Sequence, residues 1–382
     1  MKLAFTGDVN FRGIDPISDE ASRYALSEVL PYLADTDYVI PNLETPLANI
    51  KKYAPIKKSG PNLISSPANI VFLEAMGANG VTLANNHIGD FGEGAVNETL
   101  DLLDEYGIAH AGAGRNISDA YLAMYFEKSD MRIAVISVCE NEFGMATKST
   151  YGSAGYEPRL LLNQIKEEKA RSNFVIVVFH GGNEFCPLPS PDTVNRYRLI
   201  CDMGADAVIG GHTHCPQGYE YYNGKPIVYS MGNFLFKSRS ERSANDSWYY
   251  GYMTELDIDK SGVDFCIIPY KFNPEATRIT VFEGDEKQKI LRYIDSLSEI
   301  IKDTKLLDNY FSGWAYLHKW VPQAPSNYFD LKEYNSSGNY NLISCESHLS
   351  QAKKVLEFCF LDRVAEAKEW SEKVAELTRM PV

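Results

Sequence analysis

The chain alternates short apolar runs with stretches whose apolar positions repeat at helical spacing. Lys2 to Thr6 is an apolar run ending in Gly7-Asp8, Tyr38 to Ile40 runs into Pro41-Asn42-Leu43-Glu44, and Val81 to Ala84 runs into Asn85-Asn86-His87. Short apolar runs with polar tips predict buried strands. Ala21 to Leu33, Pro67 to Met76 and Glu93 to Tyr106 predict helices, the last with Val96, Leu100 and Leu103 on one face. Arg132 to Val138 and Asn173 to Phe179 are near-continuous β-branched runs, as in strands covered on both faces. A helix opening at Pro158 precedes the second run, because proline's fixed φ and missing N–H suit a first helical turn. Arg196 to Asp202 predicts a helix. Ala207 to Gly210 and Lys225 to Tyr229 predict strands, the latter entered through an Asn223-Gly224 hairpin turn. Two more strands are expected between Tyr250 and Tyr270, around Lys260-Ser261-Gly262.

Beyond Pro274 the pattern changes. Lys287 to Asp303, Ser347 to Phe360 and Val364 to Thr378 carry helix-period apolar residues, with no comparable strand runs. The organisation expected is an α/β domain over residues 1–273 and a helical C-terminal appendage over 274–382. Lys51 to Pro61 and Asn335 to Asn339 are expected to be mobile loops.

Composition narrows the class. The 382 residues, 45% hydrophobic and 23% charged, suffice for a large folded domain plus an appendage. Lys and Arg number 37 against 51 Asp and Glu, and a net charge of −14 disfavours nucleic acid and anionic membrane surfaces as partners. No apolar run approaches the roughly 18 residues of a membrane span, and the N-terminal run is too short for a secretory leader. The seven cysteines are scattered and form no CxxC pair, so neither a disulfide framework nor a zinc ribbon is expected. A cytoplasmic location is the corresponding expectation.

Four of the seven histidines, His87, His180, His212 and His214, stand directly after expected strands. Ligands bind at the carboxyl ends of strands in open α/β sheets, because several loops converge there. Asp8, Glu44 and Asn86 occupy such ends too. Imidazole, carboxylate and amide oxygen together suit divalent Mn, Fe or Zn better than calcium. Gly211-His212-Thr213-His214 is the sharpest piece: its glycines permit a tight turn that delivers two imidazoles in succession. Taken singly, Asp8 reads equally as a helix cap, Glu44 as a surface acid and His180 as a hydrogen-bonded structural residue. No Gly-x-Ser-x-Gly elbow or phosphate-binding Gly-x-x-x-x-Gly-Lys-Ser/Thr loop occurs, and Gly112-Ala113-Gly114 falls short of a dinucleotide fingerprint. Cys215 reads as a small buried thiol, and Tyr219, Tyr221 and Tyr222 as alternation along an edge strand.

The order Gly7-Asp8-x-Asn10, Asn42-Leu43-Glu44, Asn85-Asn86-His87, His180 and Gly211-His212-Thr213-His214 resembles the motif series of the calcineurin-like metallophosphoesterases. More narrowly, the chain resembles the bacterial capsule-synthesis (poly-γ-glutamate synthesis, CapA-like) branch. That likeness rests on Asn42-Leu43-Glu44-Thr45-Pro46-Leu47, on Asn86-His87 followed by Asp90-x-Gly92, on His180-Gly181-x-x-Glu184 and on Tyr229-Ser230-x-Gly232-Asn233-Phe234. It covers about residues 1–272.

The resemblance implies a four-layer αββα sandwich of two mixed sheets and a centre of two divalent ions. Asp8 and His214 would hold one ion, Asn86, His180 and His212 the other, with Glu44 bridging and Asn10 in the first motif beside them. His87 is the implied general acid, oriented by Asp90; Arg12 is a candidate substrate-side residue and reads equally as a solvated loop residue, while Glu184, a candidate substrate-side acid, reads in preference as an outer partner of His180. Two departures stand out: Asn10 replaces the histidine of Asp-x-His, and Glu44 replaces a bridging aspartate. The implied activity is hydrolysis of a phosphoester by water activated between metal ions. The alternatives are a capsule or poly-γ-glutamate assembly factor acting on amide-linked polymer without phosphatase activity, and a metal-free structural relative.

Overall fold

The computed structural model describes residues 1–14, 19–318 and 336–382. Its strands are β1 (Lys2–Asn10), β2 (Tyr38–Leu43), β3 (Gly80–Thr82), β4 (Ala109–Ala111), β5 (Ala113–Gly114), β6 (Met124–Lys128), β7 (Met131–Cys139), β8 (Gly152–Ser153), β9 (Phe174–His180), β10 (Ala207–Gly211), β11 (Tyr219–Tyr222), β12 (Lys225–Val228), β13 (Asn233–Phe236), β14 (Tyr250–Asp259), β15 (Gly262–Phe272) and β16 (Ile279–Val281). Its helices are α1 (Asp19–Leu26), α2 (Leu30–Ala34), α3 (Ile70–Met76), α4 (Gly92–Glu105), α5 (Ile117–Ala120), α6 (Pro158–Lys169), α7 (Pro191–Met203), α8 (Gly284–Lys302), α9 (Thr304–His318), α10 (Ser336–Ser344), α11 (Glu346–Phe360) and α12 (Val364–Leu377). Every run marked as a strand in the sequence is one.

Two mixed sheets carry the architecture. An eight-stranded sheet runs β16-β15-β14-β1-β2-β3-β4, with β13 parallel to the end of β1; a six-stranded sheet runs β11-β12-β10-β9-β7-β6. Strand periodicity shows how they stack, since alternate residues point to opposite faces. Ile133 and Val135 of β7, Ile176 and Val178 of β9, and Ala207 and Ile209 of β10 pack into the core shared with the first sheet. Their neighbours Ala134, Ile136, Val138, Val175, Val177 and Phe179 face the other way, onto Leu161 and Ile165 of α6 and Val194, Tyr197 and Ile200 of α7. Leu26, Leu73, Val96, Leu100 and Leu103, from α1, α3 and α4, cover the first sheet. The result is the αββα sandwich that the resemblance implied.

Several details differ from the sequence expectations. The helix expected over Ala21 to Leu33 is two helices, α1 and α2. Pro31 lacks the N–H that a continuing helix needs but suits the first turn of a new one, and Glu28 at the break accepts from the Arg278 guanidinium (2.8 Å) and the Val281 N–H (3.1 Å). The Asn335–Asn339 loop is corrected over 336–339, which open α10, while Asn335 lies outside the described residues. Buried Asn341, Leu342 and Cys345 anchor that helix, so tertiary packing overrides weak local propensity. One short strand, β16, interrupts the helical pattern after 274, and α9, outside the helices expected from the sequence, forms on a face of Leu307, Phe311, Trp314 and Ala315. The Asn223-Gly224 turn has φ of +51° and +76°, as a tight hairpin requires. All seven cysteines are free thiols, and among the described residues no helix is long and apolar enough to cross a membrane.

Candidate metal centre

The centre forms where the parallel strands of both sheets end. Gly7 sits so close to β13 that a Cβ there would lie 2.0 Å from the Gly232 carbonyl oxygen, which accepts the Asp8 N–H at 3.0 Å. Only glycine permits that approach. Gly7→Ala should therefore cost about 1–3 kcal/mol of stability or more. Chemical denaturation checks this; an unchanged midpoint would contradict the packing.

The approach fixes Asp8, whose Oδ1 accepts from Asn42 Nδ2 (2.7 Å) and whose Oδ2 accepts from the His212 N–H (2.9 Å). Glu44 follows β2, tied by its N–H to the Val9 carbonyl (2.9 Å) and by its carbonyl to Asn10 Nδ2 (2.9 Å). After β3, Asn85 Oδ1 accepts from the N–H groups of His87 (3.0 Å) and Ile88 (2.8 Å), a turn that projects Asn86 and His87 inward. The glycines before His212 permit the expected turn, yet the left-handed backbone falls on the histidines themselves, at φ +90° for His212 and +56° for His214. Such conformations cost roughly 1–3 kcal/mol each and persist where surroundings over-determine them. Here the determinants are the Asp8 bond to His212 and the His214 Nδ1 contact with Asn233 Oδ1 (2.9 Å), with the ring between Trp248 and Phe236.

Side chains from distant segments converge into two triads, Asp8–Glu44–His214 and Glu44–His180–His212, each with donor atoms within 4.8 Å of one another. Glu44 belongs to both. Its Oε1 lies 3.7 Å from His180 Nε2 and 3.8 Å from His214 Nε2, and neither of its buried oxygens has a hydrogen-bond partner among the described residues. An unpartnered buried carboxylate is costly unless a cation meets it. Asn86 Oδ1 lies 3.3 Å from His180 Nε2, which is 3.1 Å from His212 Nδ1. A transition-metal ion with nitrogen donors at about 2.1 Å spaces adjacent donors roughly 3.0–3.4 Å apart. The residues present therefore fit divalent ions.

The electrostatics agree. Burial and the charge of Glu44 push Asp8 up to about 7. Glu44 is raised well above the carboxylate range by burial, Glu184 and Glu142. Burial lowers His180, and together with neighbouring imidazoles holds His212 well below its usual range; His214, also buried, falls to about 3. Three neutral imidazoles beside two carboxylates strained by each other's charge form a cavity of lone pairs that lacks positive charge.

His87 stands beside the triads, with Nε2 3.8 Å from Glu44 Oε1 and Nδ1 2.6 Å from Asp90 Oδ2. Burial and the Lys58 charge bring it down to about 4. Lys58 was missed in the sequence: it lies in the Lys51–Pro61 stretch, which has neither helix nor strand but is tied to Asp90. The Lys58 ammonium pairs with Asp90 Oδ1 and reaches His87 Nδ1 (3.2 Å) and the Asn86 carbonyl (3.3 Å), while Asp90 also accepts from the Leu63 N–H (2.7 Å). A lysine in a polar loop carries no local signal of burial.

Other expected residues sit farther out. Asn10 holds the Glu44 carbonyl and accepts from the Arg12 N–H (2.9 Å), so its amide is engaged at both ends. The Arg12 side chain is exposed. Hydrogen-bonding neighbours of His180 among the described residues are Asn42, Asn86 and His212, without Glu184. Glu184, pushed up to about 7 by burial and Glu142, lies in the field of Lys58 and Arg242. The Arg242 guanidinium stacks over Trp248 and Phe185, 4.5 and 4.9 Å from the ring centres. Cys215 is the buried thiol expected, and β11 is an edge strand.

The C-terminal helices lie over this end of the sandwich. Glu346 accepts from the Asn141 N–H (2.9 Å) and side chain (2.7 Å), Asn183 Nδ2 donates to the Ser347 carbonyl (3.2 Å) and Gln351 (3.1 Å), and Asn341 Nδ2 donates to Glu142 Oε2 (3.3 Å).

Comparison with known proteins places these features in context. Residues 2–238 match the family described as "Bacterial capsule synthesis protein PGA_cap". The chain is 31% identical over 221 residues to the capsule biosynthesis protein CapA of Bacillus anthracis, covering 56% of this chain and 54% of that one; it thus spans about half of that relative's length. It is 27% identical over 310 residues to the PGA biosynthesis protein CapA of Bacillus subtilis, covering 80% and 78% of the two chains. Among solved structures, a novel phosphatase from Mycoplasma pneumoniae superposes with a TM-score of 0.44 at 17% identity, covering 70% of this chain and 92% of that one.

Proposed function

This chain belongs to the bacterial capsule synthesis protein family PGA_cap, and from that premise we propose that it is a metal-dependent phosphoester hydrolase. The observation that carries the reading is Glu44, buried and without a hydrogen-bond partner among the described residues, shared by two triads of neutral imidazole and carboxylate donors. Asp8 and His214 would hold one ion, Asn86, His180 and His212 a second, and Glu44 both. When bound, such a pair supplies Lewis acidity, offsetting phosphoryl charge and making water acidic enough to attack near neutral pH.

The chain's own residues supply the rest. Asp90 and Lys58 hold His87 with Nε2 toward Glu44, the side on which a leaving oxygen would lie. The negative charge of a phosphate ester raises the proton affinity of that imidazole, so Nε2 can deliver a proton to the departing alkoxide. Arg242, stacked on Trp248 and Phe185 and paired with Asp246 (3.2 Å), stands beside His214.

The test is Mn²⁺ binding and aryl phosphate hydrolysis by the chelator-stripped full chain. Metal-dependent turnover is expected, with His87→Ala slowing it by about 10²–10⁴-fold at unchanged metal content and His212→Ala losing metal and turnover together. Bound metal without hydrolysis would overturn the reading. The second reading follows from the names borne by the relatives, capsule biosynthesis and PGA biosynthesis proteins: the chain would serve polymer assembly, acting on amide-linked γ-glutamate. Binding of γ-linked glutamate oligomers by a metal-loaded protein inactive on phosphate esters is the outcome that favours it.

A further inference from the structure

We propose that Glu142 orients His212 by accepting its Nε2 proton, and that the C-terminal helical layer holds Glu142 in place through Asn341; this rests on the metal-binding reading above. Glu142 lies in the loop after β7, in none of the motifs that mark the centre, and Asn341 lies in α10, beyond the matched residues 2–238.

Protonation bookkeeping leads to the assignment. An Asn Nδ2 can only donate, so Asn42 Nδ2, 3.1 Å from His180 Nδ1, makes that nitrogen an acceptor. In the metal-free state neutral His180 then carries its proton on Nε2, which donates to His212 Nδ1 at 3.1 Å. Neutral His212 in turn carries its proton on Nε2. With an ion held at His212 Nδ1 the result is the same, because the lone pair on Nδ1 is then engaged and the proton again sits on Nε2. In both states a buried N–H points away from the triads and needs an acceptor.

His212 Nε2 is buried and has no hydrogen-bond partner among the described residues, and Glu142 Oε1 lies 3.8 Å from it. A small rotation of the carboxylate closes that gap. The other Glu142 oxygen is already held by Asn341 Nδ2 at 3.3 Å, which restricts the carboxylate to swinging about a fixed point. A carboxylate behind a ligating imidazole fixes its tautomer, aligns its ring and raises its basicity, and loss of such a partner typically costs about 10–100-fold in metal affinity. The segment beyond the family's matched region thereby acts on how tightly the centre holds its second ion.

Calorimetric titration of the chelator-stripped full chain with Mn²⁺ tests this. Glu142→Ala should weaken one of two binding steps by about 10–100-fold and spare the other. Glu142→Gln, whose amide oxygen still accepts from Nε2–H, should lose less, and Asn341→Ala should weaken the same step by less than Glu142→Ala does. A purely structural role would not produce that grading. In Zn²⁺-loaded protein, histidine nitrogen NMR should find His212 protonated on Nε2, with faster proton exchange in Glu142→Ala. If Glu142→Ala does not fold, the Gln and Asn341 variants carry the test. Wild-type affinity for both ions in these variants, or a proton on His212 Nδ1, overturns the inference while leaving the centre intact. A wild-type chain that binds no ion overturns both.

Discussion

Replacing Glu44 with glutamine should abolish Mn²⁺-dependent hydrolysis, by about 10³-fold, and yet leave the metal-free protein more stable at alkaline pH than the wild type. The first half follows from geometry. Glu44 is the residue common to both triads, and losing Lewis-acid stabilisation of several kcal/mol at about 1.4 kcal/mol per decade gives a factor of that order. The second half follows from charge. Its folded-state pKa is raised well above the ordinary value, chiefly by burial. A raised folded pKa means that the group's stability contribution is complete below the unfolded pKa and is lost as pH rises through the folded one. The advantage of glutamine should therefore open above pH 4.5, the ordinary glutamate value, and grow with pH. Adding Mn²⁺ should reverse the order, because only the wild type gains the full binding free energy.

Asp8, raised to about 7, and Glu184, also raised to about 7, act in the same direction. His87 and His214, lowered to about 4 and about 3, act oppositely: their contribution is present above the ordinary histidine value of 6.5 and is lost as pH falls. Metal-free wild type should be most stable between these limits, and weaken above pH 6.5 and again below pH 4.5. Thermal unfolding in chelator and in Mn²⁺ at pH 5 and pH 8 measures this. A glutamine variant less stable than wild type in chelator at pH 8 would show that Glu44 is not an uncompensated charge.

Lys58→Met should destabilise the fold by about 3–5 kcal/mol, because it leaves Asp90 buried without its cation. The pair is almost fully enclosed, with side-chain exposures of 3% for Lys58 and 0% for Asp90. Asp90 also organises the loop that carries Lys58, accepting the Ile56 N–H (2.9 Å) and Asn62 side chain (3.0 Å) on its carbonyl and the Leu63 N–H on its carboxylate. Adding Asp90→Asn should recover part of the loss, since the two changes act on one interaction. Hydrolysis should fall by roughly 10–100-fold as His87 loses its alignment. The pH at which His87 titrates should rise, because Lys58 is one of the charges that lower it. Urea denaturation of the single and double variants decides the matter. Additive losses below about 1 kcal/mol would mean that the pair is solvated.

Much of this molecule is legible in the chain. β7 and β9 announce themselves as β-branched runs, α6 begins at its proline, and the Asn85 turn projects candidate ligating groups by local chemistry alone. These features depend on side chains within a few residues of one another, and a linear pattern records such relations directly. It also marks which residue types stand at strand ends, and hence the donors that two sheets bring together. The tertiary structure alone decided the rest. Pro31 and the Glu28–Arg278 pair split one expected helix, and burial of Leu342 and Cys345 made a helix from Ser-Ser-Gly-Asn. Lys58, Asn42 and Glu142 acquired their roles from neighbours between 28 and 199 positions away, such as Asn86 for Lys58, Asp8 for Asn42 and Asn341 for Glu142. A lone lysine or glutamate in a polar loop looks solvated until the path of the chain buries it, and burial is what turns its charge into an interaction strong enough to matter.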